Sequence, residues 1–238
     1  MSNHRGLAPG DETLFSPEKL TSLQSAVFDL SWLLSRGYPE VASLKLIGDH
    51  ANLITRQRSA VMRSACPDYA RLHRESTKVP QQKLLGKEVW IDGFNLLTTL
   101  EVALSGGVVL RSRDGCLRDI AGVHGTYRKV EETIPALHLI GDLLQKLSPS
   151  RCVWLLDSPV SNSGRLRGII LEAAQEHRWN FEVQLVPDPD PILIQSPHII
   201  ASADSAILDR CTHWFNLNEL LIPAKTPDAW LVDLCAQG

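Results

Sequence analysis

The stretch Val89-Trp90-Ile91-Asp92-Gly93-Phe94-Asn95-Leu96-Leu97 decides how the chain is read. Three large apolar residues in a row form a short buried strand, and it stops at a carboxylate. Gly93 permits a tight turn, and Asn95 stands at the start of a helix, able to bond backbone, phosphate or the neighbouring carboxylate. The same punctuation recurs twice. Val153-Trp154-Leu155-Leu156 runs into Asp157-Ser158, and Ile199-Ile200-Ala201-Ser202-Ala203 runs into Asp204-Ser205.

Around these words, apolar strands alternate with helices. Strands are expected at 88–92, 152–156, 181–186, 198–201 and 213–216, and helices at 95–104, 131–147, 163–177 and from 205. Residues 107–111 fit a strand or one arm of a hairpin, 112–125 a long loop and 187–191 a turn. This alternation predicts an α/β domain over 87–238, a mainly parallel sheet flanked by helices. Residues 17–86 read differently. Ser16-Pro17-Glu18 is a helix-start signal, and Leu20, Leu23, Val27, Leu30 and Leu34 recur at threes and fours until Gly37. Further helices are expected at 39–48 and 55–65, which makes this a helical subdomain behind a flexible 1–16.

Composition bounds the function. With 44% hydrophobic and 21% charged residues the chain is an ordinary globular protein, which excludes wholesale disorder, collagen and coiled coil. No apolar run approaches the roughly 18 residues of a membrane span, so no membrane partner is expected. The polar start and five cysteines without a C-x-x-C pair argue for a reducing, cytoplasmic setting rather than export or a disulfide framework. Residues 1–86 carry 11 Lys/Arg against 8 Asp/Glu, whereas 87–238 carry 13 against 19. A basic region joined to an acidic one can pair a polyanion surface with a carboxylate-rich metal site, or be two solvated surfaces of unequal charge. P-loop, dinucleotide-fingerprint and nucleophile-elbow motifs are all missing, which disfavours those enzyme classes.

In an open parallel sheet all carboxyl ends lie along one edge, where ligands bind. Asp92, Asp157 and Asp204 would converge there, and converging carboxylates repel one another unless a cation sits among them. Oxygen donors without Cys or His select Mg²⁺ or Mn²⁺, which polarise phosphates. The competing reading is structural: Asp is a favoured helix N-cap, and each of the three precedes an expected helix.

The word Asp92-Gly93-Phe94-Asn95 resembles the strand-one motif of the PIN/NYN-like nuclease superfamily. The segment from Ala201 to Asp209, with Asp204, is similar to that superfamily's late acidic motif, and Asp157 resembles an acid at the end of a central strand in NYN-type members. With its Arg36-Gly37-Tyr38-Pro39 segment and the run from Lys45 to His50, the whole chain also resembles a prokaryotic family of unknown function. The superfamily resemblance implies a PIN-like fold and metal-dependent hydrolysis of phosphodiesters, in RNA more than in DNA. It implies Asp92, Asp157 and Asp204 as catalytic metal ligands. The alternatives are a non-catalytic RNA-binding or assembly module and a small-molecule phosphohydrolase.

The superfamily commonly supplies another acid from the middle of the domain. Glu101 would lie about 9 Å along its helix, so Asp119 is preferred as catalytic, with Asp114 to complete the metal shell. Their loop also offers Arg118 and His124 for a phosphate backbone. Ser161, Asn162, Ser163 and Arg165 follow the Asp157 strand into a helix start that favours an anion, or form an ordinary capped turn. Arg56, Arg58 and Arg63 are expected to hold nucleic acid. Asp188 and Asp190, among prolines, read as turn residues, and Asp209 stays outside the site. The tryptophans at 90, 154 and 214 read as core.

Overall fold

A computed structural model describes residues 4–121 and 125–235. In chain order its elements are α1 (Asp11–Leu14), α2 (Pro17–Ser35), α3 (Glu40–His50), α4 (Thr55–Ser64), α5 (Asp68–Thr77), β1 (Glu88–Asp92), α6 (Gly93–Leu104), β2 (Val109–Arg111) and β3 (Leu117–Asp119). There follow α7 (Thr133–Leu147), β4 (Arg151–Asp157), α8 (Ser163–His177), β5 (Phe181–Val186), α9 (Pro189–Gln195), β6 (Ile199–Ala201), α10 (Ser205–Leu208), α11 (Leu217–Lys225) and β7 (Leu231–Asp233). The expected α/β class holds: a four-stranded, wholly parallel sheet in the order β5-β4-β1-β6, with helices on both faces.

The sheet is buried on both sides, which is why its strands read as continuous apolar runs. On β4, Cys152, Trp154 and Leu156 enter the core beneath α6, α7, α8 and α11, while Val153 and Leu155 face the core made by α9, α10 and Trp214. β1 alternates in the same way, with Val89 and Ile91 on the first side and Trp90 on the second. Trp154 and Trp214 are fully buried core residues, as expected, whereas Trp90 is half-buried and packs against the second core.

Several local expectations are corrected. The loop over 112–125 contains β3, which pairs antiparallel with β2; β2 in turn pairs parallel with the unforeseen β7 in a separate three-stranded sheet. Residues 213–216 form no strand; Trp214 makes only isolated bridges to Lys78 and Ile200. The proline turn after β5 leads at once into α9, capped by the Asp188 carboxylate accepting from the Asp190 amide at 3.1 Å. α5 and α11 were not read from the sequence at all.

The helical region is joined closely to the rest. Leu23, Val27 and Leu30 of α2 and Val61 of α4 share a core with Val108, Leu110, Val232 and Leu234, so the small sheet is a wall between the two regions. From residue 4 onward the expected flexible start is tied down as well. Buried Asp11 pairs with Arg56, and Arg5 pairs with the buried Glu101 of α6.

Candidate active site

Every strand of the parallel sheet delivers an aspartate to one edge. Asp92 ends β1, Asp157 ends β4, Asp204 follows β6, and Asp190 lies in the first turn of α9, directly after β5. Asp119, at the end of β3, joins them from the second sheet. All five line one cavity of about 200 Å³, together with Arg63, Phe94, Asn95, Thr98 and Val160.

Local sequence explains how the edge is built. Gly93 opens α6 directly after β1, and a Cβ there would stand 2.6 Å from a Leu156 methyl and 3.0 Å from the Leu155 carbonyl oxygen. Close packing against β4, rather than the tight turn expected, therefore demands glycine. Asn95 Oδ1 accepts from the Ala203 amide at 2.9 Å, which holds the end of β6 beside β1. Ser202 donates its hydroxyl to Asp92 Oδ2 at 2.8 Å and accepts from the Asp204 amide at 2.9 Å. Thr99 donates to Asp119 at 2.9 Å.

The N-cap alternative is answered residue by residue. Asp204 does cap α10, accepting from the Ala206 amide at 2.7 Å. Asp92 makes no capping bond, and Asp157 lies well ahead of α8, whose N-cap is Asn162. Burial pushes the Asp92 carboxyl up to about 7; the Ser202 hydrogen bond opposes this, and the carboxylates of Asp204, Asp190 and Asp157 reinforce it. Asp157 and Asp190 are raised too, by burial first and then by neighbouring carboxylates. Among the described residues, no three His, Cys, Asp or Glu side chains already stand together as a group that could hold a metal ion. The aspartates line an open cavity rather than a closed cage.

Other expected site residues lie elsewhere. Asp114, expected as a metal ligand, is buried between Arg118, at 2.7 and 2.8 Å, and Arg74. Arg118 also donates to the Ala203 carbonyl at 2.7 Å, and Arg74 reaches Asp209, so these arginines brace the Asp204 segment and cannot grip a substrate. Arg56 is held by Asp11, and Arg58 by Asp49 and the Leu53 carbonyl, so both are already paired within the chain. Arg63 alone of that trio lines the cavity. Asn162 donates to the Tyr127 carbonyl at 2.9 Å, Ser163 is buried with its hydroxyl on the Ser158 carbonyl, and Ser161 bridges to Thr126 through its backbone. Asn162 holds the N-cap position of α8 without a side-chain capping bond, so neither Ser161 nor Ser163 caps the helix as the capped-turn alternative expected; Ser161, Asn162 and Arg165 are exposed. His124 lies outside the described residues. Glu101 accepts from Tyr127, Thr133 and Arg5, in a buried network of its own.

Two members of the site escaped the sequence reading. Asp190 was hidden by its proline neighbours, although its position just after a strand was a usable signal. Ser202 had no signal beyond its place between Ala201 and Asp204.

Comparison with known proteins places the chain in a family. It belongs to the family described as Domain of unknown function (DUF5616), matched over residues 81–220. Residues 22–76 match a second family, Protein of unknown function (DUF434). The Uncharacterized protein MJ0935 of Methanocaldococcus jannaschii is 28% identical over 193 residues, covering 79% of this chain and 89% of that protein. No solved structure matches. The five aspartates fall in the first matched region and Arg63 in the second. Among the described residues, no helix is long and apolar enough to cross a membrane.

Proposed function

We propose that this protein is a PIN/NYN-like, metal-dependent nuclease that hydrolyses phosphodiester bonds, with RNA as the preferred substrate. One observation carries the reading: all four parallel strands deliver an aspartate to a single cavity, and among the described residues none of those four carboxylates is paired with a cation. Such a cluster is unfavourable by itself, and a hard divalent cation relieves it; at Asp92 burial comes first and the neighbouring carboxylates add to it. The donor chemistry therefore fits Mg²⁺ or Mn²⁺. Asp92, Asp157 and Asp204, with Asp190 beside them, would hold the ion. When bound, it supplies charge stabilisation to a phosphate in the cavity. Ser202 orients Asp92, and Asn95 keeps the β6 end, and with it Asp204, in register with β1. Asp119 borders the cavity from the opposite sheet. All five cysteines are free, which suits the cytoplasmic setting we assign.

The test uses purified protein with end-labelled single-stranded RNA, matched DNA and free nucleotides, in Mn²⁺ or in chelator. RNA cleavage that requires Mn²⁺ and is lost in Asp92→Asn supports the nuclease. Cleavage indifferent to chelator and to that substitution sinks it. Tight RNA binding without cleavage would instead identify a non-catalytic RNA-binding or assembly module. Turnover of nucleotides alone would identify a small-molecule phosphohydrolase.

A further inference from the structure

We infer that Arg63 forms an anion subsite within the acidic cavity, so that the active centre is assembled from both matched regions and receives a phosphate group between Arg63 and the aspartates. The inference rests on the nuclease reading and adds to it the group that would hold the substrate's charge.

Arg63 is the only basic side chain among the described residues lining the cavity, and it comes from α4 in the helical region. Its guanidinium has no hydrogen-bond or ion-pair partner among the described residues. The neighbouring arginines are all committed: Arg56 to Asp11, Arg58 to Asp49, Arg113 to Asp68, and Arg74 and Arg118 to Asp114. An arginine beside five aspartates, paired with none of them, leaves its fork of donors available to a third party.

Its placement is built into the fold. Ser112 Oγ donates to the Arg63 carbonyl at 3.3 Å, and the Arg113 amide donates to the Ser64 carbonyl at 2.9 Å. These bonds fasten the end of α4 to the β2–β3 connection, and β3 carries Asp119 to the same cavity. A second observation concerns the cation's side of the same cavity. Asp92 is only 8% exposed, and while its Oδ2 accepts from Ser202, its Oδ1 has no hydrogen-bond partner among the described residues.

The ligand chemistry follows. Carboxylates alone repel a phosphate, so the phosphate needs positive charge on the side away from the cation they hold. A planar guanidinium matches two phosphate oxygens with two parallel N–H bonds, which a point-charge ammonium cannot reproduce. Arg63 would therefore bind the phosphodiester oxygens directly.

The experiment compares wild type, Arg63→Lys and Arg63→Ala as full-length proteins on labelled single-stranded RNA at saturating Mn²⁺. Mn²⁺ uptake by calorimetry and thermal melts accompany the rates. Loss of a charge-assisted contact is expected to lower kcat/KM about 10- to 100-fold in Arg63→Ala, with partial recovery in Arg63→Lys. The salt dependence of RNA binding should lose about one phosphate contact's worth of slope. If Arg63 merely offsets the acidic charge, Arg63→Ala will take up Mn²⁺ more tightly and cleave as well as wild type; that result overturns the inference. Should Arg63→Ala fail to fold, Arg63→Gln is read in its place. A wild type that neither cleaves RNA nor takes up Mn²⁺ overturns the nuclease reading and this inference together. An active wild type with unaffected variants overturns Arg63 alone.

Discussion

Asp92 and Asp114 each precede a glycine, and the carboxylate of each is almost buried, yet they sit in opposite electrostatic surroundings. Around Asp114, burial works against the charged form, but Arg118 and Arg74 overcome it and hold the carboxyl well below the usual carboxylate range. Around Asp92, burial is compounded by Asp204, Asp190 and Asp157, and the carboxyl rises to about 7. One aspartate is satisfied within the chain and works as a structural brace. The other is left wanting a proton or a cation. A buried acid with its charge answered by arginine explains stability, whereas one surrounded by its own kind is the candidate on which the proposed site rests.

The largest effect expected from this contrast is at the brace. Asp114→Ala leaves Arg74 and Arg118 buried without a shared carboxylate and should cost about 3–5 kcal/mol in denaturant unfolding. A loss under about 1 kcal/mol would show that water already answers those arginines.

Asp92→Asn should act in the opposite direction. Removing a charge that the fold disfavours should stabilise the metal-free protein by about 1–3 kcal/mol near pH 8. Destabilisation there would mean that Asp92 has a cationic partner after all. Between the two sites, Gly93→Ala should cost about 1–3 kcal/mol, because Leu156 and the Leu155 carbonyl must move aside. Melts showing no loss would place the strand–helix contact wrongly.

Acidity should separate the pair again. An acid whose folded pKa lies above its ordinary 3.8 favours the folded state while protonated. Asp92 should therefore make the metal-free protein less stable as pH rises from about 4 to about 7, with no further change above. Asp114, with a depressed folded value, contributes in full above about 3.8, and its contribution is lost as pH falls below that. Melting temperatures across pH 5–8 should fall in wild type and stay flatter in Asp92→Asn; parallel curves would contradict the assignment. The smallest effect is expected at Arg165, exposed at the start of α8, where alanine should change stability by under about 0.5 kcal/mol.

Much of the fold was legible because its signals are local. The apolar runs at β1, β4 and β6, each closing in or near an aspartate, needed only the side-chain period and the burial rule to be read. The short β2, β3 and β7 were harder, since three-residue strands owe their existence to partners far along the chain. Of the site, Asp92, Asn95, Asp119, Asp157 and Asp204 were recognisable, and all five reach the cavity. Asp114, Arg118, Arg56 and Arg58 are all ion-paired in the fold, which the sequence could not show: a charged side chain near a motif looks the same whether free or paired.

The sequence alone therefore determined where strands stop and which carboxylates stand at their tips, because both follow from neighbours a few residues away. Only the tertiary structure decided which charges are answered. Arg74 meets Asp114, and Arg56 meets Asp11, across forty or more residues, while Asp190 and Arg63 arrive at the shared edge from separate elements. Coulomb energy depends on distance in space, and the folded chain sets that distance.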